Sequence, residues 1–385
     1  MKLILINTIL IACAATMAPA KIKKHPTGKP TDTRPSVEVC FVLDTTGSMG
    51  GLIAGAKEKI WSIANDLTNA DPSPRLKIGL VAYRDRGDDY ITRNFALTDD
   101  LDSIYENLMG FQAAGGGDGP ESVNQALDDA VNKIQWSPGR NTLKMIFLVG
   151  DCPPHMDYKD DIKYPDTCKA AVSKEIIINT VQCGNHSPTT LIWKEIAHLS
   201  EGSYAAIEQG GGMAAIATPV DARIAELTRA INSTVIAFGN EEKQSIVKKK
   251  LSFASGFGGK EAAASVAQRQ AYFSKNLSGR AISGNEDLVA EFAEGNVKLD
   301  QVKAKDLPEK YRKLSKSELA DVVEEQQEKR KKLQSRMNSL VSERNAWLKK
   351  AMEKRKAEDK DNGFDAKIRR AVKEQGAKKG IQYKS

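Results

Sequence analysis

"FVLDTTGSMG", residues 41–50, decides how the rest of the chain is read. A mostly apolar run over residues 37–43 ends on Asp44 and passes into Thr45, Thr46, Gly47 and Ser48. The run alternates little, which fits a strand buried on both faces of a parallel sheet. Beyond it, Leu52, Ile53, Ala56, Ile60, Ile63, Ala64 and Leu67 recur at helical spacing. An acid at the carboxyl end of such a strand stands where open α/β sheets gather their ligands. Asp44, Thr46 and Ser48 alternate, so one tight loop aims a carboxylate and two hydroxyls at a single point while Gly47 lets the backbone turn. Oxygen donors of this kind suit a hard cation, Mg²⁺ or Mn²⁺.

Outward from this stretch, "LKIGLVAY" (76–83) reads as a second buried strand and "TRNFAL" (92–97) as a short edge strand. Residues 99–109 and 123–134 read as helices, "LKMIFLVG" (143–150) as the strongest strand, and a further helix precedes "IIINTVQC" (176–183). "LIWKEIAHLS", "SYAAI" and residues 220–237 supply a last helix, strand and helix. This alternation predicts a doubly wound, mostly parallel α/β domain over 37–238. Two more loops rise at the same sheet edge: "GGGDGPE" (115–121) places Asp118 before a helix, and "LVGDCPPH" (148–155) ends a strand at Asp151. Helix caps and turns explain Thr46 or Ser48 singly, but not five oxygen-bearing residues converging on three strand-end loops.

Together "FVLDTTGSMG", "GGGDGPESV" and "FLVGDCPPH" resemble a von Willebrand factor type A domain, of the bacterial secreted type, with an intact metal-ion-dependent adhesion site. The resemblance covers 37–238 and implies a Rossmann-like fold in which Thr46 and Ser48 coordinate Mg²⁺ or Mn²⁺ directly while Asp44 and Asp151 hold its waters. One loop departs from the commonest pattern: many relatives place a threonine where this chain has Asp118. A directly bound second carboxylate neutralises more of the cation's charge, so this site is expected to attract an acidic ligand less strongly than a threonine-type site.

Rival chemistries find less support. A serine hydrolase needs a G-x-S-x-G elbow, whereas Ser48 lies in D-T-T-G-S. "ASGFGGKEA" (254–262) departs from a phosphate loop at Ala254 and Glu261. A metal-dependent hydrolase would use Asp151 and Glu121 as bases near a bound water, but no histidine ligand set accompanies them, and no enzymatic activity is expected. Arg86-Gly87-Asp88 matches a tripeptide of adhesion ligands and reads as ordinary turn chemistry.

The ends of the chain differ from its centre. Residues 1–20 place Lys2 before an apolar stretch and finish with Ala18-Pro19-Ala20, the pattern of a cleaved signal peptide. "LIAC" (10–13) offers the competing reading of a lipoprotein box, with lipid on Cys13. Residues 21–36 form a flexible tether. An exported chain permits disulfides, and Cys168–Cys183 is the preferred pair, with Cys152 the rival partner of Cys168 and Cys40 a buried strand thiol. No CxxC occurs, and His155, His186 and His198 lack zinc spacing. Basic and acidic residues number 23 and 28 over 1–240 but 34 and 22 over 241–385, so the positive charge is concentrated in the second part.

Residues 239–312 are small-residue rich and weakly patterned, a linker or helical region. The charged helical tail, 313–385, is coiled-coil-like: Leu319, Val323, Leu333, Met337, Leu340, Trp347 and Ala351 follow a heptad grid that Gln326, Arg330 and Arg344 interrupt. Phe364, Ile368 and Val372 recur at i, i+4 and i+8 and are predicted to fold back on this long helix as an antiparallel hairpin. The basic tail reads as a solvated helix or as a contact for an anionic cell-envelope surface. Nucleic acid is disfavoured, since no aromatic platform interleaves the Lys and Arg residues. The expected whole is an exported Mg²⁺-dependent protein-binding or adhesion module, periplasmic, secreted or on the cell surface. Its metal accepts an exposed carboxylate from a protein partner; the competing reading is a purely structural cell-envelope protein.

Overall fold

A computed structural model of the chain describes residues 34–383 other than 118, 140, 213–215, 256–259, 278 and 358–362. The expected signal peptide over 1–20, Cys13 and the tether as far as residue 33 lie outside the described residues. No helix among the described residues is long and apolar enough to cross a membrane.

Six strands form one sheet: β1 (Ser36–Asp44), β2 (Arg75–Tyr83), β3 (Thr92–Thr98), β4 (Thr142–Gly150), β5 (Ile176–Cys183) and β6 (Tyr204–Ile207). Their order is β3-β2-β1-β4-β5-β6, all parallel except the antiparallel edge strand β3. All nine residues of β1 are buried, because both faces of the sheet are covered, which is why the strand is apolar without alternation. Val37, Val39, Phe41 and Leu43 point into one core with α1 (Gly50–Leu67) and α2 (Leu101–Met109). Cys40 and Val42 point into the other, with α3 (Val123–Asp128, continued as a π-helical turn to Lys133), α4 (Tyr164–Ser173) and α5 (Ser187–Leu199).

The remaining helices are α6 (Asp221–Asn232), α7 (Glu241–Ser255), α8 (Lys260–Asn276), α9 (Leu288–Ala293), α10 (Lys316–Ala357) and α11 (Phe364–Lys378). Residues 239–312 read as weakly patterned because α8 hides polar side chains. Gln268, Arg269 and Gln270 are all buried, with Arg269 held by both oxygens of Asp102 at 2.8 and 2.9 Å. Two of the three heptad interruptions on α10, Arg330 and Arg344, have the same cause. Arg330 is buried on Asp287 at 2.6 Å and Arg344 on Asp221 at 2.8 Å, so α10 packs on α6, α8 and α9 through ion pairs as well as an apolar stripe.

Two expectations are corrected. The hairpin of α11 on α10 is not the arrangement found. Phe364, Ile368, Ala371 and Val372 enter the core between α1 and the sheet, with the Phe364 ring 6.2 Å from that of Phe41. Lys59–Asp365 at 3.2 Å and Arg369–Asp66 at 3.0 Å pin α11 to α1. The Cys168–Cys183 disulfide is also absent: Cys40, Cys152, Cys168 and Cys183 are free thiols. Cys183 faces the α1 side of the sheet, whereas Cys168 comes from α4 on the other side and directs its Sγ to the Ile196 carbonyl at 3.8 Å. A shared sheet edge did not bring the two to a shared face, since strand side chains alternate across the sheet.

Candidate metal centre

β1 and β4 are neighbours whose outgoing connections run to opposite sides, so a crevice opens beyond their carboxyl ends. Asp44, the last residue of β1, is fully buried there. Gly150 ends β4, and a Cβ at that position would collide with the Tyr83 hydroxyl and come within 3.1 Å of Asp44 Cβ. Only glycine lets the two strand ends approach this closely.

The first loop is folded around its own acid. Asp44 Oδ1 accepts from the Thr46 backbone N–H at 2.8 Å and from Thr46 Oγ1 at 2.6 Å, and Thr46 Oγ1 lies 3.4 Å from Ser48 Oγ. The glycine loop is laced to it: the Gly47 N–H donates to the Gly115 carbonyl and the Ala114 N–H to the Thr45 carbonyl, both at 3.1 Å. Arg84, almost fully buried, donates to the carbonyls of Thr45 at 3.2 Å and Gln112 at 2.7 Å, locking the two loops together. Asp151 opens the third loop, its Oδ2 taking Gln209 Nε2 at 2.7 Å and its carbonyl taking Thr189 Oγ1 at 2.9 Å. Asp118, expected to be a ligand, lies outside the described residues.

Arg86-Gly87-Asp88 is part of the scaffold. Asp88 accepts from the Gly116 N–H at 3.0 Å and the Asp85 N–H at 3.1 Å, while Arg86 pairs with Asp160 and Asp161 and covers the Tyr158 ring. Gly115 and Gly116 both have φ near +80° (79 and 78), the left-handed conformation in which the loop reaches Asp88.

At this crevice three buried carboxylate oxygens among the described residues are without a hydrogen-bond partner: Asp44 Oδ2, Asp151 Oδ1 and Glu121 Oε2. Burial pushes the Asp44 carboxyl up to about 7, partly offset by the two Thr46 hydrogen bonds and reinforced by Asp151. Glu121 is pushed up to about 9 by burial and then by Asp44, Asp85, Asp88 and Asp151. Unpartnered carboxylate oxygens gathered in a buried crevice, two of them on acids whose proton affinity is raised, are the complement of a cation, so the residues present fit a divalent metal. Among the described residues no three His, Cys, Asp or Glu side chains are grouped to hold a metal by themselves. Mg²⁺ characteristically completes its shell with hydroxyl oxygens and water, and Thr46 and Ser48 offer such hydroxyls beside the carboxylates.

A pH dependence follows from these shifts. Between about pH 4 and 7 the metal-free native state keeps a proton on Asp44 that the unfolded chain has released, so its stability falls as pH rises through that window. A divalent cation replaces the proton, and its stabilising effect is expected to be larger at pH 7.5 than at pH 5.5. Melting curves with Mg²⁺ and with chelator at both pH values check this; equal increments would contradict it.

Arg84 and Gln209 carry no sequence signal of their own. Arg84 sits in "RDRGDD", which reads as a charged turn, and Gln209 follows the short edge strand β6. Glu121 stood out only as a possible base, and its burial beside Asp44 comes from the fold.

Residues 38–218 match the von Willebrand factor A domain family. Among curated proteins, von Willebrand factor A domain-containing protein 7 of Mus musculus is 37% identical over 123 residues, 32% of this chain and 13% of its own length. An ariadne-like RING finger protein of Acanthamoeba polyphaga mimivirus is 29% identical over 126 residues, 32% of this chain and 12% of its own. The chain thus spans only about an eighth of the curated relatives it matches. Among solved structures, BatB from Bacteroides thetaiotaomicron aligns at 17% identity and a TM-score of 0.34 over 45% of this chain and 91% of its own. Proximal thread matrix protein 1 from the mussel byssus, with a zinc-occupied MIDAS motif, aligns at 15% identity and 0.37 over 46% and 42%. By the family match, residues 38–218 of this chain are a von Willebrand factor A domain.

Proposed function

We propose that the chain is a non-enzymatic, metal-dependent protein-binding module, exported to the periplasm, cell surface or medium, whose partner presents an exposed carboxylate. The observation that carries this reading is the set of unpartnered buried oxygens of Asp44, Asp151 and Glu121 at the sheet's switch point. In this reading Thr46, Ser48 and Asp118 hold Mg²⁺ or Mn²⁺ while Asp44 and Asp151 orient its waters. The bound cation supplies one exchangeable position that a partner's carboxylate takes. Arg84 and the glycine loop keep the hydroxyls aimed, so little ordering is left to be done on binding. The signal-like segment over 1–20 supports export. Lys329, Lys331, Lys332, Arg336, Lys349 and Lys350 are exposed on α10 and would favour an anionic envelope surface, a contact that added salt should weaken.

Titration calorimetry of the full chain with Mg²⁺ and with Mn²⁺ tests the site. One cation is expected per chain, with binding abolished in Asp44→Ala and the fold retained by circular dichroism. Unchanged affinity in that variant would remove the assignment. Capture of envelope proteins on the immobilised chain, with Mg²⁺ and then with chelator, tests the partner: a carboxylate-dependent ligand must be released by the chelator.

A further inference from the structure

At the opposite edge of the sheet from the metal centre, a pocket of about 450 Å³ opens between the turn after α3 and the α4–β5 corner. Its volume falls within the range of small-molecule sites. Lys144, the third residue of β4, lines it at 7% exposure. The Nζ of Lys144 has three donors and one acceptor, the Lys174 carbonyl at 3.2 Å. No carboxylate among the described residues lies within 4.0 Å of it. Glu38, which pairs with Lys144 in the β1–β4 register, is bound to the Ser137 N–H at 2.9 Å, to the Ser137 hydroxyl and to Lys77 at 3.3 Å. Glu175 is paired with Lys379, and Asp129 with Thr92, Asn94, Gln125 and Lys133. The acids near the pocket are thus engaged elsewhere, while the buried Lys144 ammonium lines the cavity with no carboxylate within ion-pair distance among the described residues. Lys174, at the mouth, gives its own Nζ to neutral acceptors, the Val131 carbonyl at 3.0 Å and Asn132 Oδ1 at 2.5 Å. Ile134, Pro138 and Trp136 add apolar lining to the same pocket, and the Trp136 ring is fixed by its indole N–H on the Ala130 carbonyl at 2.9 Å.

We propose that this pocket binds a small organic carboxylate with an apolar body, its acid group paired with Lys144 and its body laid against Trp136. One buried ammonium matches a single negative charge, and the apolar lining from Ile134, Trp136 and Pro138 favours an aromatic or branched acid over a small hydrated anion. This site is independent of the metal centre in position and chemistry.

The probe is 1-naphthoate, compared with the isosteric neutral 1-naphthamide, titrated into the full chain by calorimetry and by tryptophan fluorescence. Saturable 1:1 binding of the acid is expected, with the amide at least about tenfold weaker, as befits loss of a charge-assisted contact in a partly buried site. Lys144→Met is expected to weaken the acid by a similar factor without changing the response to Mg²⁺. Trp136→Phe should remove most of the fluorescence change while the calorimetric signal persists. Equal affinity for acid and amide, or no saturable binding of either, would overturn the proposal, and this contrast is read on the unmodified chain should Lys144→Met fail to fold. Undiminished acid binding in a folded Lys144→Met would overturn it equally.

Discussion

Deleting residues 363–385 is expected to unfold the α/β domain, not merely to shorten the tail. Phe364, Ile368, Val372 and Ile381 are each at most 3% exposed and lie in the same core as Phe41, Leu43 and Trp61. At about 1.5–3 kcal/mol for each large apolar side chain buried, their loss removes roughly 6–12 kcal/mol. That is comparable with the whole stability of an ordinary domain, about 5–15 kcal/mol. The deletion also strips Lys59 and Asp66 of the ion pairs that accompany their burial. Urea denaturation followed by near-ultraviolet circular dichroism gives the comparison. A truncated chain whose midpoint stays close to that of the full chain would show that α11 is peripheral.

The second large effect is expected at Asp102. Its side chain and that of Arg269 are both 2% exposed, with two hydrogen bonds between them and a third from the Ser283 N–H to the acid. Asp102→Ala leaves a buried guanidinium with one remaining acceptor, the Ala281 carbonyl, and should cost about 3–5 kcal/mol. The double variant Asp102→Leu, Arg269→Met removes both charges and should recover most of that loss, since well-packed apolar replacements of buried ion pairs are often neutral. If the double variant is as unstable as the single one, packing rather than the stranded charge is responsible.

The sheet was legible because burial on both faces leaves a strong mark: runs such as Val37–Leu43 or "LKMIFLVG" have no other economical explanation. The loop acids were legible for a related reason, since Asp44 and Asp151 interrupt apolar strands at the places where polar residues are hardest to accommodate. What the sequence hid was pairing over distance. Arg269, Arg330 and Arg344 look like breaks in an apolar pattern until Asp102, Asp287 and Asp221 are placed against them. In the same way Phe364, Ile368 and Val372 announce a buried face without saying against what, and the nearest helix in sequence was the wrong partner. Cys168 and Cys183 show the limit of edge-level reasoning, because the side of the sheet, unlike its end, depends on a one-residue register. Glu121, Arg84 and Gln209 join the site through tertiary contacts that no local spacing encodes.

The seat of α11 also sets the order in which this protein comes into being. Lys59 and Asp365 are 306 positions apart, so every strand has left the ribosome before the helix that closes one face of the sheet has been made. During synthesis Phe41 and its neighbours on that face have α1 and α2 but not yet α11 over them, and the part α11 later covers offers apolar surface to chaperones or to other nascent chains. Contacts of such separation also slow the final step, because a long loop has to close before any of its burial is recovered. The domain is therefore finished late, by a segment encoded far from the strands it completes.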